Sequence, residues 1–183
     1  MIDKKAINLG LVLAACTIIF TLLTAIADFG MITFFVLVLV LFIVMAIILV
    51  KSTLKIKKEN DGVITFMESF KYMATAVIIS GIISTAFSIL YFQLIDPTYA
   101  AKMIDKTLEW TSSMMQNSGV GDSAIEKQLT DIETDMTKQF AVTGQLISFL
   151  KSTAVWIIFA AIVSLIIKKE QTFQPKQNPI DQF

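Results

Sequence analysis

Long apolar runs separated by short charged stretches give the chain its pattern. Residues 6–27 contain no charged side chain, and neither do residues 31–50. Each run exceeds the roughly 18 residues that an α-helix needs to cross a hydrocarbon layer. Because only residues 28–30 separate the two runs, the pattern predicts a tight hairpin of two membrane-spanning helices within residues 1–50.

Two more apolar runs follow later in the chain. Residues 72–95 carry no charge and predict a third span, which stops before Asp96. The uncharged run 152–167 is only about 24 Å long as a helix, which is short of a full span. We therefore extend the fourth predicted span to residues 144–167, which places Lys151 inside it.

The stretches beside these spans predict water-exposed connections. Residues 51–71 are rich in Lys and contain an Asn-Asp-Gly turn sequence at 60–62. Thr65, followed three residues later by Glu68, predicts a capping box that starts the third helix. We interpret this segment as a Lys-rich elbow and residues 168–183 as a polar tail.

The segment of residues 96–143 predicts two amphipathic helices. Asp96 before a Pro predicts the start of the first, and a Gly-containing polar run at 117–122 ends it. Ser123 with Glu126 predicts a second capping box. We therefore expect a helical hairpin between the third and fourth spans. The second helix has an apolar residue every three or four positions, namely Ile125, Leu129, Ile132, Met136 and Phe140.

Acidic residues dominate the polar surface of this hairpin, which holds eight acids and four Lys. The group Asp131, Glu133 and Asp135 lacks the Gly and the final Glu of an EF-hand calcium loop. On an amphipathic helix such acids form a solvated face. We therefore predict no metal site here.

The composition narrows the class of protein and its chemistry. Hydrophobic residues make up 55% of the 183 residues and charged residues only 16%, which is too apolar for an ordinary soluble domain. The absence of His and the single Cys exclude imidazole catalysis, His-bearing zinc or haem sites, Cys-cluster metal sites and intrachain disulfides. No Gly-rich nucleotide loop or basic patch with interleaved aromatic residues is present. We expect an integral membrane protein that is not an enzyme, has no cofactor and binds no nucleic acid.

The distribution of Lys predicts how the chain is threaded through the membrane. The two termini and the elbow together hold ten Lys and six acids, whereas residues 96–143 hold four Lys and eight acids. The net charge of zero therefore separates into +4 on one side and −4 on the other, while Asp28 and Lys151 cancel. By the positive-inside bias, we predict cytoplasmic termini and an extracytoplasmic hairpin.

The end of the first span has the form of a cleavage site. Ala25-Ile26-Ala27 is a small-x-small sequence of the kind that signal peptidase cleaves. The apolar run before it is longer than the about 7 to 15 residues of a typical signal peptide. We therefore expect an uncleaved helix.

Lys151 is the one ionisable residue inside a predicted span, and a charge at membrane depth is a candidate functional site. It precedes Lys168 by 17 residues, or about 25 Å of helix, which places it near the outer edge of the membrane. Its side chain could extend to the lipid head groups, which is the interpretation we favour. It could instead form a structural ion pair with Asp28, or contact a substrate or ion.

Small and hydroxyl-bearing residues form a seam on the first and on the third predicted span. Such spacing lets helix backbones approach closely and form hydrogen bonds, so we predict that these two spans pack together. A seam of Ser and Thr could instead line a pore, but no mid-membrane carboxylate accompanies it, and packing is favoured. The predicted packing residues are Gly10, Ala14, Thr17, Thr21, Ala76, Ser80, Ser84 and Ser88.

Three stretches carry a resemblance to a known family. They are Thr65-Phe66-Met67-Glu68-Ser69-Phe70-Lys71-Tyr72, Ile95-Asp96-Pro97-Thr98-Tyr99 and Ile162-Val163-Ser164-Leu165-Ile166-Ile167-Lys168-Lys169-Glu170. With the tight N-terminal hairpin and the elbow, they make the chain similar to the bacterial membrane protein family named domain of unknown function 4199 (DUF4199). The resemblance covers nearly the whole chain. It implies a multi-pass protein of the bacterial cytoplasmic (inner) membrane and transfers no active-site residues.

Two function hypotheses follow. The one we favour is a non-enzymatic interaction or assembly component of the inner membrane. It would bind a membrane protein partner, or a second copy of itself, through the acidic hairpin or the seams, with the lipid bilayer as its surroundings. The other is a small oligomeric transporter or channel, which the Ser and Thr seams and Lys151 support. Four spans rarely make a complete transport path alone.

Overall fold

The computed structural model describes residues 4–27 and 29–169, most of which are helical. These residues form six α-helices and one π-helical turn. The predicted all-α class is confirmed. In chain order the elements are α1 (Lys4–Ile26), α2 (Met31–Glu59), α3 (Phe66–Leu90), the π-helical turn (Tyr91–Ile95), α4 (Thr98–Asn117), α5 (Asp122–Phe140) and α6 (Val142–Ile167).

Within the described ranges, four helices are long and apolar enough to cross a membrane, as the sequence pattern predicts. Three of them are α1, α2 and α6, and the fourth is α3 continued by the π-helical turn. Such a set is typical of an integral membrane protein. At one end of the bundle α1 and α3 begin and α2 and α6 end, and an ion pair joins Lys5 of α1 to Glu59 of α2 (2.7 Å). We name this the lysine end and the opposite end, which carries α4 and α5, the hairpin end.

The second helix is longer than its predicted span. It continues through residues 51–59, which the sequence pattern assigns to the elbow. This stretch is rich in good helix formers, and the buried Thr53 hydroxyl donates to the Leu49 carbonyl oxygen (2.9 Å). Lys57 and Lys58 lie in the last turn, where positive charge complements the negative end of the helix dipole. The elbow therefore begins with helix rather than with loop.

The connection from α2 to α3 is a tight turn that ends in a capping box. Within residues 60–65, Asp61 and Gly62 have positive φ angles of 54° and 78°, as turn sequences of this type allow. The Glu68 N–H donates to the Thr65 hydroxyl (3.2 Å), and the Thr65 N–H donates to the Glu68 carboxylate (2.9 Å). The predicted capping box is confirmed.

Two further contacts fasten the lysine end. The Lys57 ammonium donates to the Ile167 carbonyl oxygen at the end of α6 (2.6 Å). Ile64 and Lys169 form an isolated antiparallel bridge in which each N–H donates to the other residue's carbonyl, at 3.1 and 2.9 Å. The α2–α3 connection and the end of α6 are thereby tied together.

The buried core occupies the lysine half of the bundle, where α3 packs against both α1 and α6. Its fully buried side chains include Leu13 of α1, Leu49 of α2 and Met73 of α3. In the middle of this packing the Ser164 hydroxyl of α6 donates to the Ser69 hydroxyl of α3 (3.1 Å), and both residues are 0% exposed. The lysine half is therefore closed by direct packing.

The fourth and fifth helices form a helical hairpin, in agreement with the predicted amphipathic pair. Asp96 precedes α4, and its carboxylate accepts hydrogen bonds from the Thr98 hydroxyl (2.6 Å) and the Thr98 N–H (3.2 Å). The hydroxyl contact is the main cause that lowers the pKa of Asp96 below its ordinary value. Ile125 of the predicted apolar stripe is 5% exposed. The fourth and fifth helices contact each other along this hairpin.

The predicted capping box of Ser123 and Glu126 is wrong. The fifth helix already begins at Asp122, and the extended Gly121 (φ −69°, ψ 146°) is its N-cap. An N-cap residue needs a non-helical backbone, and Ser123 lies within the first turn. The Asp122 carboxylate, also in that turn, complements the positive end of the helix dipole instead.

A single residue separates α5 from α6. Ala141 is extended (φ −64°, ψ 155°) and interrupts the helical run. A Cβ atom at Gly144 would clash with the Lys138 carbonyl oxygen and would stand 2.6 Å from the Gln139 Cα atom. The close return of α5 onto the start of α6 therefore requires Gly at position 144.

Candidate functional site

A cavity of about 430 Å³ lies between the four long helices, in the half of the bundle nearer the hairpin end. Its lining on α3 runs from Val77 towards Phe92, and its lining on α6 runs from Trp156 back to Gln145. Phe140, at the end of α5, also lines it. The bundle is thus closely packed in its lysine half and hollow in its other half.

The cavity has one polar side and one apolar side. The third and sixth helices supply most of its hydroxyl groups, whereas α2 supplies only apolar side chains. Most of the polar groups recur at three- or four-residue spacing, so each helix turns one face to the cavity. None of the described residues that line the cavity is charged. The hydroxyl groups are those of Thr17 on α1, Ser80, Ser84, Thr85 and Ser88 on α3, and Ser148, Ser152 and Thr153 on α6. The apolar side consists of Val38, Leu41, Phe42 and Met45.

The hydroxyl of Ser84 is the least satisfied polar group of this lining. Its oxygen is buried and has no hydrogen-bond partner among the residues that the structure describes. Two other lining hydroxyls are satisfied within their own helices, since Thr17 donates to the Leu13 carbonyl and Ser152 to the Phe149 carbonyl, each at 3.1 Å. Buried polar groups are nearly always paired in folded proteins, so Ser84 is available to an occupant of the cavity.

Aromatic rings close the cavity towards the lysine end. The rings of Phe42 on α2 and Trp156 on α6 lie 4.8 Å apart, and Phe159 meets Trp156 edge-on at 5.4 Å. The core that contains Leu13 and Val77 continues below them. A molecule in the cavity would therefore meet a closed floor near the middle of the bundle.

A glycine on α3 lets an aromatic ring of α6 lie against the helix backbone. A Cβ atom at Gly81 would stand 2.6 Å from Phe149 Cε2 and 3.5 Å from Thr153 Oγ1. All three residues line the cavity. The width of the cavity at this level is therefore set by how closely Phe149 approaches α3.

A cluster of rings joins the bundle to the hairpin beside the upper part of the cavity. Phe92 stacks on Tyr99 at 5.2 Å and meets Phe140 edge-on at 5.3 Å. The Gln93 side chain donates to the Phe140 carbonyl oxygen (3.2 Å), and the Tyr99 hydroxyl donates to Thr24 of α1 (3.5 Å). These contacts place the hairpin directly over the hollow half.

The outward surface of the hairpin is acidic. The four carboxylates of the solvated face on α5 are all exposed. The fourth helix contacts the bundle through Trp110, whose ring lies 5.7 Å from that of Phe35 on α2. The exposed carboxylates are those of Glu126, Asp131, Glu133 and Asp135. This arrangement leaves α5 as the more accessible helix.

The structure places the predicted packing residues in different surroundings along the bundle. At the lysine half, Gly10 and Ala14 of α1 and Ala76 of α3 are buried, and a Cβ atom at Gly10 would stand 2.8 Å from the Ala76 carbonyl oxygen. Farther along, Thr21 donates to the Thr17 carbonyl oxygen (3.0 Å). Four further predicted residues line the cavity, and Ser80 among them is also buried: Thr17, Ser80, Ser84 and Ser88.

The predicted ion pair of Asp28 and Lys151 is not tested by this geometry. Asp28 lies outside the described residues, so the pair stays a prediction. Lys151 is exposed on α6 and is not part of the cavity lining. Its position supports no role in the cavity.

The sequence interpretation missed the polar stripe of the sixth helix. Gln145, Ser148, Ser152 and Thr153 line the cavity opposite α3. Their spacing of three, four and one residues was the available signal, since it repeats the helical period within an otherwise apolar span. The apolar side on α2 had no signal, because nearly every residue of that span is apolar.

Comparison with known proteins identifies the family. A family model described as "Protein of unknown function (DUF4199)" matches residues 7–169. The chain belongs to this family. The resemblance stated from the sequence is thereby confirmed. No curated protein and no solved structure matches this DUF4199 protein, so its function is inferred from its own cavity and hairpin.

Proposed function

We propose that this protein spans the bacterial cytoplasmic membrane four times, with both termini in the cytoplasm. An even number of candidate spans among the described residues would place Lys4 and Lys169 on the same side. Ten Lys belong to the lysine end and the termini, whereas the hairpin segment carries a net charge of −4, and the positive-inside bias places the Lys-rich side in the cytoplasm. The hairpin is then extracytoplasmic.

Thiol labelling of intact cells tests this orientation. In a Cys16→Ala background, Ser118→Cys places a thiol in the exposed α4–α5 turn, and Asn60→Cys places one in the exposed turn at the lysine end. A membrane-impermeant maleimide added outside should label position 118 and leave position 60 unlabelled until the cells are opened. Labelling of position 60 alone in intact cells would contradict the orientation.

We further propose that the protein is a non-enzymatic interaction or assembly component of this membrane. The observation that carries this proposal is the attachment of the hairpin, whose ring cluster contacts the bundle while the carboxylates of α5 remain exposed. Opposite charges across an interface speed and orient association. The partner is therefore expected to present a basic surface on the extracytoplasmic side.

Co-purification from native membranes tests this role. Neutralising the acidic face of α5 (Glu126→Gln, Asp131→Asn, Glu133→Gln and Asp135→Asn) should remove the crosslinked partner. The control neutralises the two exposed acids of α4 (Asp105→Asn and Glu109→Gln) and should leave the partner bound, whereas the pair Glu126→Gln and Asp131→Asn, which removes the same number of charges from α5, should not. Recovery of the isolated protein alone, by crosslinking and by pull-down, would refute the interaction role.

The cavity favours a second candidate function, that of a small oligomeric transporter or channel. Its hydroxyl groups could pass an uncharged polar solute, although the closed floor at Phe42 and Trp156 would have to open. Glycerol flux into proteoliposomes that Ser84→Leu abolishes would support transport. Lys151→Ala should leave such flux unchanged, because Lys151 does not line the cavity. Flux equal to that of protein-free liposomes would dismiss this candidate.

A further inference from the structure

We infer that the cavity binds the uncharged, oxygen-bearing head of a membrane amphiphile, with the head on the hydroxyl side and the hydrocarbon against α2. The hydroxyl side is formed by α3 and α6, and the apolar side includes Leu41 and Met45. This site is separate from the acidic surface of the hairpin, and its occupation does not depend on the partner proposed above.

The polar side of the cavity offers hydrogen bonds that the protein does not use itself. The buried Ser84 oxygen has no partner among the described residues, and Ser80 and Ser88 lie one helical turn to either side of it on the same lining. Leaving a buried hydroxyl unpaired costs free energy, and a carbonyl or hydroxyl oxygen of a ligand would remove that cost. The occupant therefore carries at least one such oxygen.

The charge of the lining excludes ionic head groups. None of the described lining residues is charged, and Lys151 is exposed on a different face of α6. A phosphate or ammonium group transferred into this cavity would lose its hydration without gaining a counter-charge, which is strongly unfavourable. The head is therefore neutral, which distinguishes the occupant from a phospholipid.

Water molecules alone would find hydrogen-bond partners on only one side of this cavity. A buried water molecule needs two or more polar partners, and those are available beside Ser84 and Ser148 but not beside Leu41 and Phe42. The volume of about 430 Å³ falls within the range of about 300 to 1,000 Å³ that small-molecule sites occupy. An amphiphile matches both sides at once, because its apolar part covers α2.

Two kinds of membrane amphiphile present this chemistry. An isoprenoid quinone offers ring carbonyls, and a diacylglycerol offers a hydroxyl and ester carbonyls. Both are uncharged and carry their oxygen atoms at one end of a hydrocarbon body. The test therefore includes a short-chain naphthoquinone, dioctanoylglycerol and, as the charged counterpart, dioctanoyl phosphatidate.

Tryptophan fluorescence of the purified full-length protein reports occupation of the cavity. The chain has two Trp, and a Trp110→Phe background leaves Trp156, in the cavity lining, as the only reporter. Saturable quenching or a saturable spectral shift is expected with the quinone or with the diacylglycerol. The compound that gives this response identifies which kind of amphiphile the cavity binds. Phosphatidate should neither saturate nor compete. Equal competition by phosphatidate in this protein would overturn the inference, as would the absence of saturation with both neutral compounds.

Two substitutions at Ser84 distinguish the effect on binding of losing the hydroxyl from the effect of filling the cavity. Ser84→Ala removes the hydroxyl and should weaken binding about 3- to 10-fold. Ser84→Leu fills the space and should weaken it at least tenfold, whereas Ala86→Leu, on the exposed side of the same helix, should bind as the background does. Unchanged binding in Ser84→Leu, with a melting midpoint like that of Ala86→Leu, would also overturn the inference. If Ser84→Leu does not fold, the Ser84→Ala comparison and the phosphatidate competition still decide.

Discussion

Gly10 of α1 lies directly against the carbonyl oxygen of Ala76 in α3. A Cβ atom at position 10 would stand 2.8 Å from that oxygen and 2.9 Å from the Ile79 Cβ atom. Neither atom is the flexible end of a side chain, so neither can move aside without moving its helix. The close approach of α1 and α3 therefore depends on the missing side chain at Gly10.

Replacing Gly10 should separate the two helices. We expect Gly10→Ala to lower the stability of the detergent-solubilised protein by about 1 to 3 kcal/mol, the usual cost of overpacking a close contact. Thermal unfolding measures it. Gly30→Ala is the control, because a Cβ atom there meets nothing within 4 Å. Equal midpoints for Gly10→Ala and the unmodified protein would show that the contact tolerates a side chain.

The pattern of small residues predicted that α1 and α3 pack together. It did not predict which residues of the seam contact the other helix and which line the cavity. Gly10 and Ala76 meet backbone, whereas Ser84 and Ser88, on the same helix as Ala76, face the cavity. A repeat along one helix shows which residues share a face. It does not show what stands opposite, because that depends on how far α2 lies from α3. The cavity could therefore not be predicted from the sequence.

Two other features of the fold could not be predicted from the sequence, for a different reason. The continuation of α2 to Glu59 was not predicted because Lys residues mark the end of a membrane span, whereas they do not end a helix and in fact favour it. The role of Gly144 follows only from the return of α5 onto α6. By contrast, the capping box of Thr65 and Glu68 was predictable, because both of its hydrogen bonds are local in sequence.

The buried pair of Ser69 and Ser164 should behave as a coupled unit. Ser69→Ala or Ser164→Ala alone leaves the other hydroxyl unpaired in a site that is 0% exposed, and each should cost about 1 to 2 kcal/mol. The double variant should cost less than the sum, with a coupling of about 1 kcal/mol. Unfolding of the four proteins in a double-mutant cycle measures this coupling. Strict additivity would mean that the hydrogen bond contributes nothing.

Lys57 and Lys58 should differ in their effect on stability although they are neighbours. The Lys57 ammonium donates to the Ile167 carbonyl at the end of α6 (2.6 Å), whereas Lys58 is exposed. The last carbonyls of a helix lack partners within it, so Lys57→Met should cost about 0.5 to 2 kcal/mol. Lys58→Met should change little. A larger loss in Lys58→Met, measured by thermal unfolding, would contradict this assignment.

The junction of α5 and α6 should fail when Gly144 gains a side chain. A Cβ atom there would stand 2.6 and 2.8 Å from the Cα and carbonyl oxygen of Gln139 and would clash with the Lys138 carbonyl oxygen. These are backbone atoms, so the hairpin would have to swing away from α6, and the ring contact of Phe140 with Phe92 (5.3 Å) would open. Gly144→Ala should therefore loosen the hairpin itself.

Limited proteolysis and hydrogen exchange can follow that loosening. Amide protection in α4 and α5 should fall in Gly144→Ala while protection in the buried part of α3 around Met73 is retained, because local openings need not unfold the core. Gly121→Ala, where a Cβ atom meets nothing within 4 Å, should keep the hairpin protected. If both variants lost protection equally, the cause would be the loss of Gly flexibility rather than the clash at the junction. Such a result would remove the steric requirement at position 144.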